Sequence, residues 1–226
     1  MPYLAELGVS HAYFSPYLQA APGSTHGYDV ADPSRVSAEL GGPEGHARLC
    51  AALKAAGLGQ VLDIVPNHMA VVPENRWWWD VLENGPSSLH ALYFDISWEP
   101  PEQKLRNTIL LPILGDHYGR VLERGELTLE RSGGQVEVRY FEHRFPVAPV
   151  SLAPILAEAA RRSGVSELAV LASEFAALPR LAPEEVGAAS VRHQRKEELK
   201  RRLAELAEQP AVAAPTSSGA SRGRAA

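Results

Sequence analysis

The chain has 226 residues, 45% of them hydrophobic and 22% charged, which are the proportions of an ordinary globular protein. A net charge of −5 excludes the basic footprint of a nucleic-acid binder, and no apolar run approaches the roughly 20 residues that cross a bilayer. The sole cysteine, Cys50, excludes an internal disulfide framework and suits a reducing compartment, so a cytoplasmic protein is expected, with neither nucleic acid nor membrane among its partners.

The opening segment M-P-Y-L-A-E-L-G carries no signal-peptide pattern and reads as an amphipathic helix, Tyr3–Leu7, stopped by Gly8. A chain that begins inside a helix suggests a truncated start. A strand is predicted over Val9–Ser15, then a long polar loop, Pro16–Gly42, rich in Gly, Pro and Asp. A helix over Pro43–Ala56 follows, with Pro and Glu near its start and Gly57 past its end. A second strand, Gln60–Val65, completes a strand–helix–strand unit, which implies parallel strands joined by a crossover. Two parallel strands do not make a domain by themselves. The next helix is expected over Asn75–Glu83, ended by Asn84-Gly85. Between Gly119 and Phe145 the pattern alternates, and Leu127–Arg131 and Gln135–Phe141 flank Ser132-Gly133-Gly134, a β-hairpin signal. Three helices are predicted after it: Leu152–Arg162, Ser166–Ala177 and Pro183–Glu208. From Gln209 the composition narrows to Ala, Pro, Ser, Gly and Arg, which predicts a disordered tail.

The segment Val61–Met69, V-L-D-I-V-P-N-H-M, carries the strongest functional signal. An aspartate inside an apolar strand is costly unless it is hydrogen-bonded or used. Asp63 shares a face with Val61 and Val65, and it reads either as a structural group tying down the strand end or as part of a site. Asn67 and His68 stand just past the strand's C-terminal end, where barrel enzymes hold substrate. A neutral histidine can donate from one ring nitrogen and accept at the other, as a sugar hydroxyl requires. A second constellation is Ser24-Thr25-His26-Gly27-Tyr28-Asp29-Val30 in the long loop. Tyr28 offers a ring to the C–H face of a pyranose, with His26 and Asp29 for its hydroxyls; a plain Gly-Tyr turn packed on the loop is the alternative. Trp77-Trp78-Trp79 spread over too wide an arc of helix to share one buried stripe. They supply a sugar platform or packing at a domain junction. No His/Cys/Asp cluster has metal-ligand spacing, and neither a P-loop nor a nucleophile elbow is present, so no metal or cofactor is expected.

V-L-D-I-V-P-N-H-M resembles the first signature region of the α-amylase superfamily, and H-G-Y-D-V stands where that superfamily carries a tyrosine at its −1 sugar subsite. S-P-Y-L-Q-A-A-P-G-S-T-H-G-Y-D-V, S-A-E-L-G-G, W-W-W-D-V-L-E-N-G-P-S-S, I-L-L-P-I-L-G-D-H-Y-G-R-V-L-E-R-G-E-L and R-Y-F-E-H-R-F-P-V-A-P resemble more specifically the maltooligosyl trehalose synthase family within it, from about residue 3 to about residue 212. The resemblance implies an α/β fold: part of a (β/α)8 TIM barrel over residues 1–100, with its second and third strands, an inserted mixed α+β subdomain after the third strand over 101–208, and the tail 209–226. It implies a maltooligosaccharide partner, whose reducing-end α-1,4 bond is converted to α,α-1,1 by a retaining intramolecular transglycosylation. Substrate-binding roles fall on His26, Tyr28, Asp29, Asn67 and His68, and a supporting role on Asp63. The family's nucleophile belongs to an R-x-D segment and its third carboxylate to a His-Asp pair, and this sequence contains neither. No catalytic residue is therefore assigned, and the isolated chain is expected to be inactive and poorly soluble, as an open piece of a closed barrel would be. An amylase-type hydrolase and a non-catalytic maltodextrin-binding fragment are the other readings.

Overall fold

The structure, a computed structural model, describes residues 1–208. It divides into two compact units, Met1–Asp80 and the chain from Val81 onward, so the division falls ahead of residue 100. The expected disorder beyond Gln209 lies outside the described residues.

In the first unit a short helix, α1 (Pro2–Glu6), leads into strand β1 (His11–Phe14). After helix α2 (Gly42–Ala55) comes strand β4 (Gly59–Leu62), which pairs with β1 in parallel, His11 opposite Gly59 and Phe14 opposite Leu62. The predicted strand–helix–strand unit is present, but both strands are shorter than the apolar runs. Pro16 stops β1 because it has no N–H to give. With its partner strand ended, β4 ends as well, and the Asp63 N–H makes the last bond, to the Phe14 carbonyl at 2.9 Å. Asp63 therefore stands one residue past the ladder rather than inside it. A small core of Ala12, Leu53 and Leu58, with Leu4, Phe14 and Leu49 packed against it, joins α1 and α2 to the pair.

The long loop is not structureless. It holds β2 (Leu18–Ala20) and β3 (Val30–Val36), an antiparallel pair with irregular register. Asp32-Pro33 in the middle of β3 hides the strand from a pattern reading, and a proline is tolerated there because the sheet has only edges. Asn75 is buried, and its side chain accepts from the Trp78 N–H (3.2 Å) and donates to the Ala70 carbonyl (3.0 Å). It is thus the N-cap of α3 (Arg76–Asn84) rather than the helix's first residue. Trp77, Trp78 and Trp79 are each half-buried.

In the second unit, α4 (Tyr118–Glu123) precedes a three-stranded antiparallel sheet: β5 (Leu127–Ser132), β6 (Gln135–Tyr140) and β7 (His143–Pro146). The predicted hairpin forms with Ser132 opposite Gln135, leaving Gly133-Gly134 as a two-residue turn. Gly134 approaches helix α7 (Val186–Ala207) so closely that a Cβ would lie 1.8 Å from the Lys200 carbonyl oxygen. Strand β7 was not expected, because only His143–Pro146 pair and so short a run gives no alternation. Helices α5 (Pro149–Ser163), α6 (Ser166–Ala176) and α7 enclose the main core, in which Leu156, Leu171, Phe175, Leu199 and Leu203 are buried. Glu83 and Lys196, both buried, form an ion pair at 2.5 Å, and Lys200 joins the same carboxylate. Among the described residues no helix is long and apolar enough to cross a membrane.

Candidate functional site: a tyrosine, an aspartate and a folded loop

The site is built by the loop that enters β3 and by the end of β4. Gly27 makes the loop's geometry possible. Its φ of +79° lies in the left-handed region, and a Cβ there would stand 2.3 Å from the Pro16 carbonyl oxygen. Ser24 ties the loop to itself: its hydroxyl donates to the Asp29 carboxylate and accepts from the Gly27 N–H at 3.2 Å. Backbone bonds close the loop's base, from the Ala21 N–H to the Asp29 carbonyl (2.9 Å) and from the Ser24 N–H to the Ala21 carbonyl (3.0 Å).

Tyr28 follows Gly27 directly, and its hydroxyl donates to Asp63 Oδ2 at 2.7 Å across 35 positions of sequence. Tyr13 of β1 stands on the same face, paired with Val61 two residues before Asp63. Hydrogen bonding to Tyr13 and Tyr28, with the Ile64 N–H, holds the Asp63 carboxyl below the usual aspartate range. Reciprocally, the carboxylate raises both phenols above the ordinary tyrosine value, because each is needed as a donor. Asp63 is thus a fixed anion, ill suited to carry a proton during a reaction and well suited to hold the Tyr28 ring in place.

His26 turns back on the same loop. Its Nδ1 accepts from the Tyr28 N–H at 3.1 Å and stands 3.6 Å from Asp29 Oδ1. A nitrogen that accepts has no proton, so the neutral ring carries its hydrogen on Nε2, free to donate outward. The His26 and Tyr28 ring centroids are 6.0 Å apart. His26, Tyr28 and Ser24 line a cavity of about 670 Å³ together with Tyr17 and His46, while Asp29, Asp63, Asn67 and His68 lie outside its lining. Tyr17 Oη meets the His46 ring at 3.2 Å and accepts from Gln60 Nε2 at 3.3 Å.

Of the residues the sequence singled out, the structure brings together His26, Tyr28, Asp29 and Asp63. Asn67 and His68 are placed on an exposed turn after β4, and among the described residues no hydrogen bond or ring contact joins them to the others. Sequence reasoning missed Tyr13. No local signal points to it: only the β1–β4 register pairs Tyr13 with Val61 and so places Asp63 two residues further along on the same face. Among the described residues no three His, Cys, Asp or Glu side chains gather where a metal could bind.

A parallel strand–helix–strand unit with a polar loop at its strand ends is the repeating element of α/β barrels and related folds. The chain belongs to the alpha-amylase family: the model of the family's catalytic domain matches residues 1–119, more than half of its length. Within that family its likeness is to maltooligosyl trehalose synthases. A curated Mycobacterium tuberculosis protein assigned as that enzyme is 49% identical over 144 residues, covering 59% of this chain and 18% of the relative. The solved maltooligosyltrehalose synthase of Arthrobacter ramosus is 46% identical with a TM-score of 0.54, over 66% of this chain and 18% of that one. A solved structure described as DSM5389 glycosyltrehalose synthase is 38% identical with a TM-score of 0.56, over 72% of this chain and 20% of that one. The fold is therefore of TIM-barrel type, and the chain spans about a fifth of the length of these relatives.

Proposed function

We propose that this chain is the substrate-holding part of a maltooligosyl trehalose synthase, the enzyme that turns the reducing-end α-1,4 bond of a maltooligosaccharide into an α,α-1,1 bond. The observation that carries the proposal is the bond from Tyr28 to Asp63, which fixes an aromatic ring beside the outward-facing Nε2–H of His26. A pyranose presents a C–H face to such a ring and hydroxyls to such a donor. Asp29 is offered to a second hydroxyl, and Asn67 and His68, exposed on the adjoining turn, complete the same sugar position when the glucan is bound. Residues 101–208 are read as the subdomain inserted after the third barrel strand.

The chain alone holds the sugar without converting it. Retaining transfer needs two carboxyl groups about 5 Å apart across one glycosidic bond. The R-x-D and His-Asp segments that supply the family's carboxylates are not in this sequence. The purified chain incubated with maltopentaose is expected to release no non-reducing product and no free glucose or maltose. Formation of a non-reducing end would overturn the statement that the chain lacks the catalytic groups, and release of reducing sugar would favour a hydrolase.

A further inference from the structure

The geometry points to a second binding site, in the unit from Val81 onward, for a phosphoryl group, free or carried by a small organic molecule. A cavity of about 630 Å³ there is walled by Phe145 of β7, Pro149 of α5 and Leu178 after α6, and three arginines line it: Arg106, Arg180 and Arg192. Its lining contains one carboxylate, Glu83, and that group already holds Lys196 and Lys200. The lining therefore carries more positive than negative charge, and a concave wall of one sign concentrates counter-ions. The site does not depend on the glucan reading, which rests on residues of the first unit.

Arginines elsewhere in this unit are paired with carboxylates: Arg124 with Glu126, Arg144 with Glu137 and Arg161 with Glu158. Among the described residues no carboxylate lies within ion-pair distance of Arg106 or Arg180, and of their guanidinium donors only the Arg106 Nε is used, by the Pro100 carbonyl at 3.3 Å. Arg192 is buried, and it donates from Nε to the Pro179 carbonyl at 2.9 Å and from Nη1 to Asn84 Oδ1 at 2.6 Å. The backbone beside the two exposed arginines is anchored. The Asn107 N–H donates to the Trp98 carbonyl at 2.9 Å, and the Leu181 N–H to the Ser87 hydroxyl at 2.9 Å. Several guanidiniums around one cavity are what a dianion needs, because each planar fork offers paired N–H donors to the oxygens of a phosphate. The apolar wall suits the carbon skeleton of a molecule of sugar size.

The test is calorimetric titration of the 226-residue chain at low ionic strength, where screening is weak, with inorganic phosphate, glucose 6-phosphate and glucose as probes. Saturable binding of the two phosphate-bearing probes is expected, about tenfold weaker in Arg180→Gln and in Arg106→Gln, since each loses a charge-assisted hydrogen bond. Both side chains are exposed, so neither substitution should disturb folding. Arg131→Gln is the control. Arg131 is exposed, donates to the Gly133 carbonyl and lies outside the cavity lining, so its loss should leave the affinity unchanged. Tighter binding of glucose 6-phosphate than of phosphate assigns the cavity to a phosphorylated molecule of sugar size, and equal affinities assign it to free phosphate. The site is overturned if neither phosphate-bearing probe binds saturably, if Arg131→Gln loses as much affinity as the cavity variants, or if glucose binds as tightly as glucose 6-phosphate.

Discussion

Replacing Gly27 by alanine should dismantle the site from its backbone outward. The new Cβ would stand 2.3 Å from the Pro16 carbonyl oxygen and 3.3 Å from its carbon, and the residue's φ is +79°. An L-residue held in the left-handed region costs about 1–2 kcal/mol. Relieving the overlap requires the loop or the Pro16 peptide to move, and such overpacking costs about 1–3 kcal/mol more. A loss of about 3 kcal/mol with a urea slope of about 2 kcal/mol per molar lowers the unfolding midpoint by about 1.5 M. The transition should be followed through the ring signals of Tyr13 and Tyr28, which report on the unit Met1–Asp80 alone. Movement of the loop also carries the Tyr28 hydroxyl away from Asp63, so the Asp63 carboxyl should titrate closer to the ordinary aspartate value. An unchanged midpoint together with an unchanged Asp63 titration would refute the claim that this glycine holds the loop in its working shape.

Asp63 is depressed below its unfolded value, so its contribution to stability is fully present above the ordinary aspartate pKa of about 3.9 and is lost as pH falls through the lower folded value. Acid unfolding of the first unit should therefore be less steep in Asp63→Asn than in the unaltered chain, and identical acid profiles would contradict the bonding described. Asn75→Ala removes a cap and leaves the Ala70 carbonyl without its side-chain donor, which should cost about 2 kcal/mol in urea unfolding of the first unit. A loss below a few tenths would mean that the cap is dispensable. Glu83→Ala takes away the carboxylate that the buried Lys196 shares with Lys200, and about 3 kcal/mol of the second unit's stability should go with it. A neutral result would show that the other partners of Lys196, Glu197 at 3.1 Å among them, suffice.

Much of this was legible in the sequence because short-range rules apply to it. The crossover from β1 through α2 to β4 follows from two apolar runs around an amphipathic segment closed by Gly57, and the Gly133-Gly134 turn follows from glycine chemistry between alternating runs. What escaped depends on partners. Val61–Val65 reads as one strand, but a strand needs a ladder, and the ladder ends where Pro16 ends β1. Strand β3 was hidden by Asp32-Pro33, residues that local rules assign to a turn and that an edge strand accepts. His26, Tyr28 and Asp29 could be singled out because they crowd one loop. Tyr13 could not, because its role is defined only by the register of β1 against β4. Ser24 was visible as part of a polar run, yet nothing local shows that its hydroxyl both donates to Asp29 and accepts from Gly27.

The central claim is that Tyr28, pinned by Asp63, is the ring on which a glucan sugar rests. Its most direct test is the affinity of the 226-residue chain for maltopentaose, measured by NMR titration beside Tyr28→Ala. The account predicts saturable binding near millimolar, about −4 kcal/mol, with shifts centred on His26, Tyr28 and Asp63 and abolished in Tyr28→Ala. Saturable binding of undiminished affinity in Tyr28→Ala, or shifts confined to the chain beyond Val81, would contradict it.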